Sequence, residues 1–276
     1  MIKIGKYNEL RVERLVNFGL YLKEGDEEVL LPAKYVPKNS KPGDKISVFI
    51  YTDSEDRLIA TTLTPKAILD EFAFLRVKDV NRFGAFLDWG LEKDLFVPFR
   101  EQKIRMSQGE SYIVRLCLDS KTNRLFATTK IQKYLKSDPD NLKENLEVNL
   151  LIYRQTDLGM MAIIDNKYSG MLYAEEIREE MRVGDSRIGY IKNIRDDKKI
   201  DLSLKPLGYK AVIDSKPDVM DLLEKAGGFL PYNDKSSPRE IEETFRMSKK
   251  MFKKVIGGLY KDGKISIGEK GIRLVK

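Results

Sequence analysis

The 276-residue sequence has no histidine and a single cysteine, Cys117. Without histidine there is no Ser-His-Asp or Cys-His nucleophile system, no HExxH zinc hydrolysis and no imidazole acid–base catalysis. One cysteine cannot close an intramolecular disulfide, and without histidine it cannot complete a zinc finger or an ordinary structural zinc site. GxxxxGK[ST] loops and GxGxxG strand-to-helix turns are also missing. Carboxylate-only chemistry, as in glycosidases, passes this filter, but nothing in the sequence points to it. The expectation is a non-enzymatic protein with no cofactor, no metal and no obligate small-molecule ligand.

Long apolar runs are missing too. Met1 to Lys6 alternates apolar and charged residues, and the most apolar stretch, Leu158 to Ile164, is far too short to span a bilayer. This predicts a cytoplasmic protein without membrane association. Lysine and arginine number 50 against 43 aspartates and glutamates, a formal charge of +7. Such a balance favours polyanions such as RNA, DNA or acidic lipid, although many soluble proteins share it.

The informative feature is a repeat. Leu10-Arg11-Val12 is answered by Leu75-Arg76-Val77, Phe18-Gly19-Leu20-Tyr21-Leu22 by Phe83-Gly84-Ala85-Phe86-Leu87, and Leu31-Pro32 by Val97-Pro98. Gly43-Asp44 is answered by Gly109-Glu110 and Ala60-Thr61-Thr62 by Ala127-Thr128-Thr129, so the offset drifts only from 65 to 67 residues. A more divergent third copy lies 75 residues beyond the second, with Leu158-Gly159-Met160-Met161-Ala162, Gly170-Met171-Leu172-Tyr173 and Gly184-Asp185 at the corresponding places. The extra residues, Lys136 to Asn145, read as an inserted linker with turn chemistry at Asp138-Pro139-Asp140. Each copy shows short strands of period-two alternation between glycine turns, the pattern of a five-stranded OB-type barrel. Parity puts Leu20, Leu22, Ala85 and Leu87 inside and Tyr21 and Phe86 outside.

The run FGaFLdxG, then a G-L/V-h-P element, then GD or GE, then D-x(3,4)-R, resembles the S1 RNA-binding domain. The whole chain, through Met247 to Lys254 near its end, resembles the CvfB (conserved virulence factor B) family. That resemblance implies aromatic stacking platforms at Phe18 and Tyr21 and at Phe83 and Phe86, and a supporting acid and arginine at Asp53 and Arg57 and at Asp119 and Arg124. Asp119 would accept a hydrogen bond from a base or orient its loop; Arg124 would stack on a base or pair a phosphate. Phe18 and Phe83 also admit a reading as plugs closing the barrel end. Arg82, Trp89, Lys93 and Arg100 fall near the same loops of the second copy, and Trp89 reads equally well as a structural rim residue. The histidine common in S1 domains after the G-L-h element is replaced by Pro32, Pro98 and Tyr173. With Leu158 and Met161 in place of the aromatic pair, the third copy either keeps only the fold or uses Tyr173 and Lys199.

Beyond about Gly208 the period lengthens. Val219, Leu222 and Leu223 mark one helix, with Asp214 or Ser215 as cap and Gly227-Gly228 as stop. Ser237-Pro238-Arg239-Glu240 starts a second with a capping box. A third, capped by Ser248, places Phe252, Val255, Ile256, Leu259 and Tyr260 on its apolar face and Lys250, Lys253, Lys254 and Lys261 on the other. Gly257-Gly258 inside it predicts close packing against another backbone. Ile265-Ser266-Ile267 and Gly271 to Val275 form a hairpin wing. The expected fold is therefore mainly β: S1-like OB barrels over residues 1–66, 67–135 and 136–207 (the last divergent and carrying the linker), then an α+β winged-helix domain over 208–276. The expected function is single-stranded RNA binding in post-transcriptional regulation, including virulence regulation in family members. The alternatives are a DNA-binding regulator using the winged-helix lysines as phosphate contacts, and an interaction scaffold on ribosome or RNA polymerase.

Overall fold

The computed structural model describes all residues except 140, 178, 179, 207–211, 213, 214 and 276. In the first module β1 (Tyr7–Val16), β2 (Gly19–Glu24), β3 (Glu27–Pro32), β4 (Lys45–Thr52) and β5 (Leu58–Thr61) close a barrel in the order β1-β2-β3-β5-β4. The second contains β6 (Phe72–Asn81), β7 (Gly84–Asp88), β8 (Leu95–Pro98), β9 (Ser111–Leu118) and β10 (Leu125–Thr128). Its order, β10-β9-β6-β7-β8, is that of a barrel closed except for a missing ladder between the adjacent β8 and β10. The third, β11 (Glu147–Thr156), β12 (Gly159–Ile164), β13 (Tyr168–Tyr173), β14 (Ser186–Ile194) and β15 (Ile200–Ser203), closes as the first does.

Two local devices recur in each barrel and explain why the repeat keeps its landmarks. The first strand carries a bulge at the same place, between Val12 and Arg14, Val77 and Asp79, and Ile152 and Arg154. Such bulges tighten the strand's twist so that the sheet can curl shut. The second strand opens on Gly19, Gly84 or Gly159, where an added Cβ would run into the carbonyl oxygen of Leu31, Val97 or Leu172 across the hairpin. Alternation then fills the cores: Leu10, Val12, Leu20 and Leu22 in the first, Leu75, Val77, Ala85 and Leu87 in the second, Leu150, Ile152, Met160 and Ala162 in the third.

The barrels are joined by packing as well as by chain. Trp89 takes the structural one of its two readings: it lies in the β7–β8 loop but is 2% exposed and offers no face to a base. It sits edge-on to Phe49 and Tyr51 of the first barrel, with ring centroids 5.8 and 6.1 Å away. Its indole N–H donates to the Lys93 carbonyl at 2.6 Å. Burial there pushes the Tyr51 hydroxyl up to about 12. The second and third barrels share an apolar cluster of Phe72, Ile113, Ile131 and Ile163, beside which the Phe72 N–H donates to Asn166 Oδ1 at 2.9 Å. The described residues of the insert are docked at two points: Lys136 bridges to Tyr168, and Leu142 packs on the third core. A turn closes there from the Leu142 N–H to the Pro139 carbonyl.

The C-terminal module runs α1 (Lys216–Lys225), β16 (Phe229–Leu230), α2 (Pro238–Phe245), α3 (Lys249–Lys261), β17 (Ile265–Gly268) and β18 (Gly271–Leu274), which is winged-helix order. The capping box at Ser237 and Glu240 forms in both directions, and Ser248 accepts from the Met251 N–H. Phe245 and Phe252 stack at 4.6 Å within a core completed by Val219, Ile241, Val255 and Ile272. Three expectations are corrected. Ser215 occupies the cap position of α1 but accepts no side-chain hydrogen bond. Tyr260 is 58% exposed, because the apolar face narrows once Leu259 fills the last turn. Gly258 makes room for the end of the Lys216 side chain, not for a backbone, and Gly257 has open space beside it. Asp214, Asp140 and the expected boundary at 207/208 lie outside the described residues.

Candidate nucleic-acid interface

Outward parity on the second barrel assembles an aromatic face. Phe86 on β7 pairs in register with Phe96 on β8, and their rings lie 5.2 Å apart, tilted by 36°. Phe83 ends the β6–β7 hairpin at 59% exposure, and Phe18 in the first barrel is equally open at 57%, so neither ring is a plug. The Asn81 side chain fixes the Phe83 backbone by accepting its N–H at 2.9 Å, and the Arg82 guanidinium lies 4.7 Å from the Phe83 ring centre. Phe83, Phe86, Phe96, Phe99 and Phe126, with Lys93, Arg100 and Arg124, line an open groove of about 750 Å³. Ser54 and Asp56 of the first barrel line it as well.

Of the residues expected from the sequence, Phe83, Phe86, Arg100, Asp119 and Arg124 therefore come together, with Lys93 beside them. Asp119 has a loop-orienting geometry: Oδ1 accepts from the Lys121 and Thr122 N–H groups at 2.9 and 3.1 Å. Those two bonds hold its carboxyl below the usual carboxylate range. Asp53 does the same in the first barrel. Burial pushes its carboxyl up, but hydrogen bonds from the Arg57 side chain and from the Arg57 and Glu55 backbone outweigh that and hold it below the usual carboxylate range. Arg57 is spent on Asp53 and Glu55, each at 2.8 Å.

The other expected residues lie elsewhere. On the first barrel Phe18 and Tyr21 meet edge to face at 6.4 Å, but the Arg14 guanidinium covers Tyr21 at 4.1 Å. On the third, Tyr173 bonds Arg195 and not Lys199, which pairs with Asp197 at 2.7 Å. Arg195 stands where Asp53 and Asp119 stand in their loops, since all three donate their N–H to the last residue of the turn. In the winged helix Lys250, Lys254 and Lys261 are exposed on α3, while Lys253 lies 3.7 Å from Asp234.

Sequence reasoning missed Phe96, Phe99, Phe126 and Asp56. Phe96 carried a signal: Leu95-Phe96-Val97-Pro98 alternates, and its odd member faces out opposite Phe86. Phe126 carried none, because it is recognised only once β10 is brought beside β8.

An S1 domain model matches residues 4–63 and a CvfB-like winged helix domain model matches residues 218–274. Neither is an enzyme family. Conserved virulence factor B of Staphylococcus saprophyticus is 30% identical over 243 residues, which cover 83% of this chain and 81% of that protein. The chain belongs to the conserved virulence factor B family. Another relative of this CvfB-family chain, Bacillus subtilis YitL, is 29% identical over 269 residues, covering 95% of this chain and 90% of that one. A solved multidomain protein with nucleic acid binding domains from Streptococcus pneumoniae aligns over 99% of this chain and 98% of its own, with 27% identity and a TM-score of 0.42. Among the described residues no helix is long and apolar enough to cross a membrane.

Proposed function

We propose that this protein binds single-stranded RNA and acts by occupancy in post-transcriptional regulation. An S1 domain and a winged helix in one chain support nucleic-acid binding. The observation that carries the finer reading is the second barrel's groove, in which five phenylalanines meet Lys93, Arg100 and Arg124. Unpaired bases can lie on the rings while the cations hold phosphates, an arrangement closed to a stacked duplex. Stacking contributes about 1–3 kcal/mol per base with little sequence preference. The modules proposed are 1–66, 67–135, 136–207 and 208–276, with Phe18 and Tyr21 as a smaller platform and, on the third barrel, Tyr173 beside Arg195 as a single ring. Relatives that carry the name virulence factor suggest that the regulated genes include virulence genes.

Competition binding tests this reading. A single-stranded oligoribonucleotide should displace a bound labelled strand better than duplex DNA does. A protein that prefers the duplex would instead act through the exposed lysines of α3, as a DNA-binding regulator.

A further inference from the structure

The groove on the second barrel already holds an anion, and the first barrel supplies it. Asp56 lies in the β4–β5 turn at φ +63° and reaches across the junction. One carboxylate oxygen pairs with Arg124 Nη2, and the other lies 3.5 Å from Lys93 Nζ. Lys93 is anchored at the same junction, donating to the Asp53 carbonyl at 2.6 Å. These are two of the three cations that line the groove, and both are turned toward one carboxylate that lines it too. The turn holding Asp56 is itself fixed, because Asp53 accepts from the Glu55 and Arg57 N–H groups at 2.9 and 3.0 Å.

We propose that Lys93 and Arg124 form a phosphate subsite built across two barrels, which Asp56 fills in the free protein and a phosphodiester of the bound strand takes over. This rests on the single-strand reading above. The two Asp56 oxygens, one on Arg124 and one toward Lys93, have counterparts in the two free oxygens of a phosphodiester, so one anion can replace the other without rearranging the cations. An exposed ion pair of this kind holds only weakly, so the exchange is accessible. The exchange also lowers the salt dependence of binding, because two protein cations arrive already neutralised and engage the strand only when Asp56 gives way. The first barrel thus sets the affinity of the second.

The test uses the full chain and a fluorescein-labelled oligouridylate, titrated at several salt concentrations. Asn tolerates a left-handed backbone as Asp does, so Asp56→Asn removes the charge while keeping the turn. It should tighten binding about three- to ten-fold and steepen the log–log salt slope by about 0.7 for each cation released. Glu224→Gln on α1 changes the net charge equally at a residue that does not line the groove, and should leave both unchanged. In a Lys93→Gln/Arg124→Gln background the gain from Asp56→Asn should vanish. Unchanged or weaker binding by Asp56→Asn overturns the proposal, and so does a gain that persists in that background. Inorganic phosphate should compete only at far higher concentration than the oligonucleotide; equal competition would mean a free-anion site and would overturn it as well. Thermal melting of each variant separates these results from unfolding. If the wild-type chain fails to bind the oligonucleotide, or binds it unaltered after Phe83→Ala/Phe86→Ala, the single-strand reading falls. If that reading stands and Asp56→Asn does nothing, only the exchange falls.

Discussion

The first and second barrels share topology, bulge and hairpin glycine, yet their outer faces differ. At the bulge of the first, Arg14 pairs in register with Tyr21 and lies over its ring at 4.1 Å, held there by Glu28 through bonds of 2.7 and 2.9 Å. At the bulge of the second, the residue opposite Phe86 is Asp79, which cannot stack. Across the next hairpin Tyr21 faces Leu30 while Phe86 faces Phe96, and in the third barrel Met161 faces Met171. One fold thus carries a capped platform, an open one and an aliphatic one. The lesson is that the scaffold fixes where a face lies, while two outward positions decide whether a base can use it.

The largest effect that would break this comparison is on binding of a labelled single strand. Phe83→Ala/Phe86→Ala should weaken it about ten-fold or more with melting unchanged, from lost stacking. Phe18→Ala/Tyr21→Ala should weaken it much less; equal losses would mean that Arg14 is no cap. Next, Asp79→Arg should install a cap on Phe86, with Asp94 placed as Glu28 is in the first barrel. Binding is expected to fall about three-fold although the protein gains positive charge; tighter binding would show that charge outweighs ring access. Third, Arg100→Gln should flatten the log–log salt slope by about 0.7, the contribution of one phosphate contact. The equivalent change at Arg57, already paired with Asp53 and Glu55, should leave the slope alone.

The smallest effect is on acid stability. The carboxyls of Asp53 and Asp119 sit below their ordinary range in the folded state. The stability they contribute is therefore present above the unfolded carboxylate value, near about 3.9, and is lost as pH falls through the folded one. Asp119→Asn should lower melting slightly at neutral pH, where that contribution is present, and make melting less sensitive to acid below that value. A melting curve whose acid dependence is unaltered would remove Asp119 from its loop-fixing role.

Much of this was legible in the chain. The repeat, the inward alternation of Leu75, Val77, Ala85 and Leu87, the outward setting of Phe86, and the capped starts of α2 and α3 all follow from local rules. Period two, period 3.6, and a serine just before a helical run are read within a few residues of each other. The sequence alone also determined that these 276 residues offer no histidine chemistry and no intramolecular disulfide.

Tertiary structure decided which rings and charges are available. Trp89, read as a loop or rim residue, is consumed at a junction by Phe49 and Tyr51. Tyr21 is covered by a bulge residue that periodicity treats as any other outward position. Asp56 meets Arg124 across 68 residues of chain, and Lys93 reaches the Asp53 carbonyl across 40. Such pairings depend on how one closed barrel seats against the next, and no pattern within either repeat encodes that seating.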